Sequence, residues 1–332
     1  MVVKKYSDEL INIWDEFVIN LSRNGGIFTE RKFLSYHCKD KFCDKSLLFF
    51  ENDELRAVFP AAEVIINNKK GIVSHPGSSN GGIIYSTLAK TKDVLIIIEK
   101  LIEYYKILDY SFIEIRQNEP IFDNPSSDEG RYLLWHRGFT LKTMELSTCV
   151  KLDETSSWIK FGRRKNKTDI NNLVRQGYLV TSTNSTEEIY PIIENNLLKR
   201  YNKKPTHTYE ELNILKTYYP DRIHYWKISK DNQIAAVVVT FVVNKLGVHD
   251  FYIAQSDEFS KVNIMPMLFY YIFEHYKKEG FQWYNFGISS RNDWIKWNIL
   301  EFKERMGGRA TIRETYILSE IKSYLPYADK YE

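Results

Sequence analysis

One order of elements, read from hydrophobic periodicity, occurs twice along this chain, and it constrains the fold more than any single motif. In the first half an amphipathic helix over 11–21 precedes short apolar runs at 47–50, 57–66 and 71–75. After a glycine-rich loop, VLIIIEKLIEYYKIL has the three-to-four spacing of a helix packed on a sheet, and SFIEIRQ alternates as a strand. SSDEGRYLLWHRGF then reads as a helix with Ser127 as its cap and Gly138 as its stop. In the second half, strands over 223–228, 234–243 and 248–253 lead through SDEFSKVN into the helix IMPMLFYYIFEHYKKEG. The strand QWYNFG, the helix NILEFKERMGG and the strand TIRETYIL complete it. The residues themselves do not repeat, so the recurrence is supersecondary. It predicts an α+β chain of two domains, 1–151 and 152–332, each a mostly antiparallel mixed sheet flanked by helices.

The chain's 332 residues suffice for two such domains, each burying its own core, and 43% hydrophobic with 15% aromatic residues fits a folded chain. A net charge of +3 argues against coating nucleic acid through bulk electrostatics. The longest apolar stretch, IAAVVVTFVV, is about half of what a membrane helix needs and is β-branched, so it reads as a buried strand. The opening residues MVVKKYSDELINIWDEF lack the apolar core and cleavage site of a secretory signal. Cys38, Cys43 and Cys149 have no CxxC spacing, and His37 beside Cys38 does not make a ligand set. The expectation is a reduced cytoplasmic protein with no metal and no membrane attachment.

Two places follow the strand, polar loop, helix order by which α/β proteins receive phosphate, since free N–H groups and the helix dipole both favour an anion there. They are SHPGSSNGG, residues 74–82, and SDEFSKVN, residues 256–263; neither matches a Walker loop or a dinucleotide fingerprint. On spacing alone the first loop serves equally well as a strand connection, because glycine and serine are what any loop prefers. In HDFYIA, alternation puts His249 and Phe251 on one strand face and Asp250 and Tyr252 on the other. A histidine can take a proton from an ammonium group and a phenol can return one to a thiolate, while a half-buried strand with bonded polar groups fits the pattern equally. No Ser, His, Asp triad can be assembled from the spacing. The basic helix ending at Gly177 carries Lys160, Arg163, Arg164, Lys165, Lys167 and Arg175, which suit either a solvated face or a phosphate contact. On the helix after residue 297, Ile299, Phe302 and Met306 form the apolar stripe, and spacing leaves Lys303 as a surface lysine.

FGISSRN followed by NILEFKERMGGR resembles the closing signature of the tandem acetyltransferase-like proteins related to the Fem peptidoglycan-bridge transferases. RRKNKTDINNLVRQGYLV is similar to that family's basic helix at the start of the second domain. With SHPGSSNGG, PTHTYEELNIL, HDFYIA and FGISS in this order, the likeness narrows to acyl-CoA-dependent N-acyltransferases of bacterial surface-sugar pathways, such as those of anthrose biosynthesis in bacilli. It covers the chain from Trp14 to Tyr316. The resemblance implies two tandem domains with the fold of general N-acetyltransferases (GNAT). It implies an acyl-CoA donor, a nucleotide-linked amino sugar, with dTDP as the nucleotide, as acceptor, and no nucleic-acid partner.

The reaction expected from it is direct attack of the sugar amine on the thioester. His249 is then the first proton acceptor and His75 the reserve, with Tyr252 in a positioning or acid role if a bulge brings it to the face of His249. The acceptor would lie in the cleft between the domains against Ser74, Gly77, Ser78, Ser79, Asn80, Gly81 and Gly82, with His207, Asp250, Ser289 and Lys303. CoA would lie on the second domain against Ser260, Lys261, Asn263, Arg163 and Arg164. The chain departs from the general pattern in two ways. Its loop at 256–263 has no glycine where a standard acetyltransferase carries Q/R-x-x-G-x-G/A, and its glycine-rich loop is in the first domain, so donor and acceptor sites are exchangeable. Two alternatives keep the fold: a peptidoglycan-bridge transferase using aminoacyl-tRNA through the basic helix, although the long helical-hairpin insertion of several such relatives is missing, and a non-catalytic binding module.

Overall fold

The computed structural model describes residues 1–38, 41–153, 164–291 and 294–324. They form two compact units: Met1–Glu145 together with the chain from Ile312 onward, and Leu146–Thr311.

The first unit contains β1 (Val2–Lys5), α1 (Ile11–Glu16) continued by a π turn over Phe17–Leu21, α2 (Arg31–Leu34), β2 (Cys43–Asp44), β3 (Leu47–Glu51), β4 (Glu54–Phe59), β5 (Ala61–Ile66), β6 (Lys69–Ser74), β7 (Ile84–Tyr85), α3 (Thr91–Ile107), β8 (Phe112–Arg116) and α4 (Glu129–His136). The single apolar run expected at 57–66 is two strands, because Pro60 between them has no N–H for a ladder. Strands β1, β3, β4 and β7 make one sheet, while β5, β6 and β8 lie side by side in another. Helix α3 buries Ile97, Ile98, Leu101, Ile102 and Tyr105 among Phe49, Phe59, Ile72 and Ile113, as its spacing requires. Helix α4 starts one residue later than expected: Asp128, not Ser127, is at its cap, and Gly138 at φ +85° ends it.

The second unit begins with the inner end of β9 (Thr140–Lys151) and continues through α5 (Arg164–Arg175), β10 (Leu179–Thr183), α6 (Thr186–Tyr201), α7 (Tyr209–Tyr218), β11 (Ile223–Lys230), β12 (Gln233–Asn244), β13 (Gly247–Gln255), α8 (Met265–Lys278), β14 (Trp283–Ile288), β15 (Ser290–Arg291), β16 (Trp294–Ile295) and α9 (Trp297–Arg305). Its sheet runs β10-β11-β12-β13-β14-β9, antiparallel throughout except for β13 beside β14. The β-branched run IAAVVVTFVV is the buried centre of β12, and α8 covers it with Leu268, Phe269, Ile272 and Tyr276.

The last strand, β17 (Arg309–Leu318), pairs antiparallel with β8 from Thr315↔Arg116 to Leu318↔Ile113. The strand TIRETYIL, expected to close the second domain, therefore has its outer residues in the first unit. The division expected at 151/152 lies at the end of β9, whereas the units meet within that strand. Among the described residues no helix is long and apolar enough to cross a membrane.

Candidate active site

Strands β13 and β14 are paired only at Gly247↔Trp283, Val248↔Tyr284 and His249↔Asn285, although both continue beyond those residues. Each carries a bulge where they part. On β13, Thr240 of β12 faces Asp250 while Val239 faces Tyr252, so Phe251 is the extra residue. On β14, Asn285 faces Cys149 and Ile288 faces Ser147, which leaves one residue too many, and Gly287 takes φ +72°. A side chain there would need left-handed backbone and would meet His249 Cε1 at 3.2 Å. Asn285 Oδ1 fixes the bulge by accepting from Gly287 N at 2.5 Å and Ser147 Oγ at 3.1 Å.

The divergence opens a pocket of about 580 Å³ within the second unit. Its inner end is formed by Asp250 and Phe251 of β13, Phe286 of β14, and Phe302 and Lys303 of α9. Lys303, legible from spacing only as a surface residue, is 4% exposed, and its Nζ donates to the Gly287 and Ile288 carbonyls at 2.8 Å each. The ammonium thus grips the bulged end of β14. Asp250 is 5% exposed, and its carboxyl oxygens have no closely placed donor, only the more distant Tyr284 hydroxyl. Burial pushes this carboxyl well above the usual carboxylate range, against the lowering effects of the Tyr284 hydroxyl and the Lys303 ammonium.

The outer end is lined by Ser260, Lys261 and Asn263 of the expected loop and by Asn196, Arg200 and Tyr201 of α6, which the sequence reading missed. Without glycine, the loop is braced by a side chain: Gln255 Nε2 donates to Phe259 O at 2.7 Å and Val262 O at 3.0 Å. Asn196 Nδ2 in turn donates to Gln255 O at 2.9 Å. Among the described residues the N–H groups of Lys261, Asn263 and Met265 have no acceptor. They stand at the start of α8, where the helix dipole and the Lys261 and Arg200 cations all favour an anion. Asn196 and Arg200 are one turn apart on α6, whose start was legible as Ser185 followed three residues later by Glu188; Ser185 Oγ accepts from Glu188 N at 3.3 Å.

Other expected residues have structural tasks. The bulge that would let His249 and Tyr252 act together is present, but the Tyr252 hydroxyl accepts from His207 N at 3.0 Å and hydrogen-bonds His207 Nδ1 at 3.0 Å. Burial pushes that phenol up, so it holds the 206–208 segment on β13 and is a poor proton donor. His207 is 1% exposed and packs its ring 4.7 Å from that of Phe251. His249 is buried beside Gly287 and is not part of the pocket wall. Ser289 is fully used: N to Leu146 O at 2.6 Å, O from Lys296 N at 2.8 Å, and Oγ with Thr148 Oγ1 at 3.1 Å. Lys160 and Arg163 lie outside the described residues; Arg164 opens α5, and its side chain is also outside them.

The glycine loop lies in the first unit, after the parallel pair β6/β8. Several of its N–H groups are already taken: Gly77 by His75 Nδ1 at 3.2 Å, Ser78 by His75 O at 3.1 Å, and Gly82 by Ser74 Oγ at 3.3 Å. Its carbonyls at Gly77, Ser78 and Ser79 pair with His37 at 3.2 Å, Arg116 at 3.3 Å and Arg313 at 2.9 Å. Gly77 is required for this closure, since a Cβ would sit 2.1 Å from His37 Nε2. Ser78 Oγ donates to Phe28 O at 2.7 Å and to Asn80 O, and a Cβ on Gly81 would come within 3.0 Å of Ser74 Cβ. Burial lowers His75 to about 4, with the Asp44 carboxylate opposing it and Arg31 and His37 adding to it, so its ring is neutral. What the loop offers a ligand is the buried Asn80 Oδ1, which has no partner; Gln117, whose buried Nε2 is equally unpartnered, packs near Gly82. Among the described residues no cluster of His, Cys, Asp or Glu could hold a metal ion.

Residues 213–303, which contain most of this pocket, match the family model described as Acetyltransferase (GNAT) domain. In fold, the chain is similar to FemX, with TM-score 0.72 at 11% identity over 96% of this chain and 97% of that one. It is similar also to the L-PGS of Bacillus licheniformis, with TM-score 0.59 at 13% identity over 95% and 93% of the two chains. A tandem GNAT protein from the clavulanic acid biosynthesis pathway gives TM-score 0.56 at 10% identity over 96% and 98%. The fold is a tandem GNAT acyltransferase fold. No curated protein matches the chain in sequence.

Proposed function

We propose that the chain is an N-acyltransferase that takes an acyl group from acyl-CoA and gives it to the amine of a nucleotide-linked amino sugar, with dTDP as the expected nucleotide. The observation that carries the donor half is the second unit's pocket. It has unused N–H donors and two cations at the start of α8, where a pyrophosphate would be held, and it runs inward to Asp250 and Lys303 between the parted strands. Apolar walls from Phe251, Ile253, Val262 and Phe302 suit the pantetheine arm. The thioester then lies at the inner end, where Lys303 places a positive charge near the oxygen that gains negative charge as the amine attacks. The carbon–nitrogen bond forms, the carbon–sulfur bond breaks, and the amine's proton leaves with the thiol.

Support for the acceptor comes from the sequence resemblance to sugar N-acyltransferases and from Asn80 and Gln117, whose free amide groups suit sugar hydroxyls. The sequence resemblance to the Fem peptidoglycan-bridge transferases carries a second reading, in which an aminoacyl-tRNA is the donor. Thermal unfolding against acetyl-CoA, free CoA, dTDP, UDP and bulk tRNA separates the two. Saturation at about 100 times Kd stabilises by about 2.7 kcal/mol. Stabilisation by the CoA species and by dTDP is expected, and stabilisation by tRNA with none by acetyl-CoA overturns the proposal.

A further inference from the structure

Asp250 is the first residue past the last paired position of β13 and β14, so it marks the closed end of the pocket. Its two carboxyl oxygens are buried with no closely placed donor, the Tyr284 hydroxyl giving them only a long, weak hydrogen bond, an arrangement that costs several kcal/mol for an ion and much less for a neutral acid. The groups facing it are the Tyr284 hydroxyl on β14, the Tyr276 hydroxyl on α8 and the Lys303 ammonium on α9, while the adjacent His249 points to the other face of the strand. Lys261 and Arg200 stand at the far end of the same pocket. Phe251, Phe286 and Phe302 wall the inner end with apolar surface. Resting on the acyl-CoA reading, we propose that Asp250 is kept as a neutral carboxylic acid whose O–H donates a hydrogen bond to the carbonyl of the bound acyl thioester.

Such a bond does two things that an ionised aspartate cannot. It recognises a carbonyl, so the pocket distinguishes an acyl-CoA from free CoA, and it polarises that carbonyl towards attack without needing charge in the resting site. The upward push of burial on this carboxyl agrees with the neutral state. Lys303 supplies the fixed charge and Asp250 the directed donor.

Two variants test this by different physics. Asp250→Asn keeps a donor that does not titrate, and Asp250→Leu keeps the approximate volume with no donor. In calorimetric titrations with acetyl-CoA from neutral to alkaline pH, wild type is expected to lose affinity by about tenfold per pH unit once the acid ionises. Asp250→Asn retains Lys303, Lys261 and Arg200 and is expected to show a shallower slope. In infrared spectra of carbonyl-labelled acetyl-CoA, the thioester band moves to lower frequency on binding to wild type and Asp250→Asn, and does not move on binding to Asp250→Leu. Thermal unfolding of each variant checks that it is folded. Tight binding with no band shift in wild type, or parallel pH slopes in wild type and Asp250→Asn, overturns the role of Asp250 and leaves the acyl-CoA reading standing. Failure of wild type to bind acetyl-CoA at any pH overturns both.

Discussion

Replacing Lys303 with methionine keeps the length of the side chain and deletes its charge. In the wild-type chain Nζ donates at 2.8 Å to the carbonyls of Gly287 and Ile288, the two residues by which β14 leaves its ladder. A hydrogen bond from a charged donor contributes about 1.5–3 kcal/mol, and a buried carbonyl left without a donor forfeits it. Against this stands the cost of burying an ammonium at 4% exposure, several kcal/mol, which methionine removes. Because both carbonyls are orphaned together, we expect a net loss of about 2–4 kcal/mol. The assay is urea unfolding with the midpoint and slope fitted separately, alongside hydrogen exchange at 284–290 to show that the loss is local to β14. A Lys303→Met protein within about 0.5 kcal/mol of wild type, with unchanged exchange there, would refute the view that this lysine holds the bulge.

Other outcomes follow from single contacts. Tyr252→Phe removes the acceptor of the buried His207 N–H and should cost about 1–3 kcal/mol while leaving acetyl-CoA affinity unchanged; lost affinity at normal stability would return Tyr252 to the site. Gly77→Ala drives a methyl against His37 and should cost about 1–3 kcal/mol in the same urea assay. His75 is held neutral at about 4 when folded, below its ordinary 6.5, so acidification from 6.5 to 4 should remove about 1.4 kcal/mol of stability per pH unit, a loss that His75→Gln abolishes. Asp123 has the opposite sign: burial raises it to about 7, so the folded form binds the proton more tightly and stability falls as pH rises from 3.8 to 7. Asp123→Asn should therefore be the more stable protein above neutral pH and gain nothing in acid, as read from unfolding midpoints.

Strong periodicity made α3, α8 and the strands β11 to β14 legible, because each buries a continuous apolar face. Strand β9 was not, since its residues 140–144 are exposed, Leu141 and Met144 included, and its buried residues 147–150 read Ser-Thr-Cys-Val, which does not announce a strand of 12 residues. Helices α6 and α7 were missed although their caps are written in the chain; α6 carries Pro191 in its interior, which argues against a helix on propensity. Ser260, Lys261 and Asn263, which line the pocket, were singled out because a loop before a helix is a general anion receiver. Lys303 could not be placed from spacing, because its burial depends on carbonyls that a bulge on another element turns towards it. Tyr252 looked available for the same reason, since its partner His207 is 45 residues away in sequence. The glycine loop looked like an open cradle because composition does not show which of its N–H groups are already bonded.

If the parted strands of the second unit hold the acyl donor, hydrogen exchange of the whole protein with and without saturating acetyl-CoA will show it. Slowed exchange is expected at Lys261, Asn263 and Met265, along β14 at 284–288 and on α9 around Phe302 and Lys303, with none in the 74–82 loop. Protection confined to the 74–82 loop, or no protection in the second unit, would contradict it.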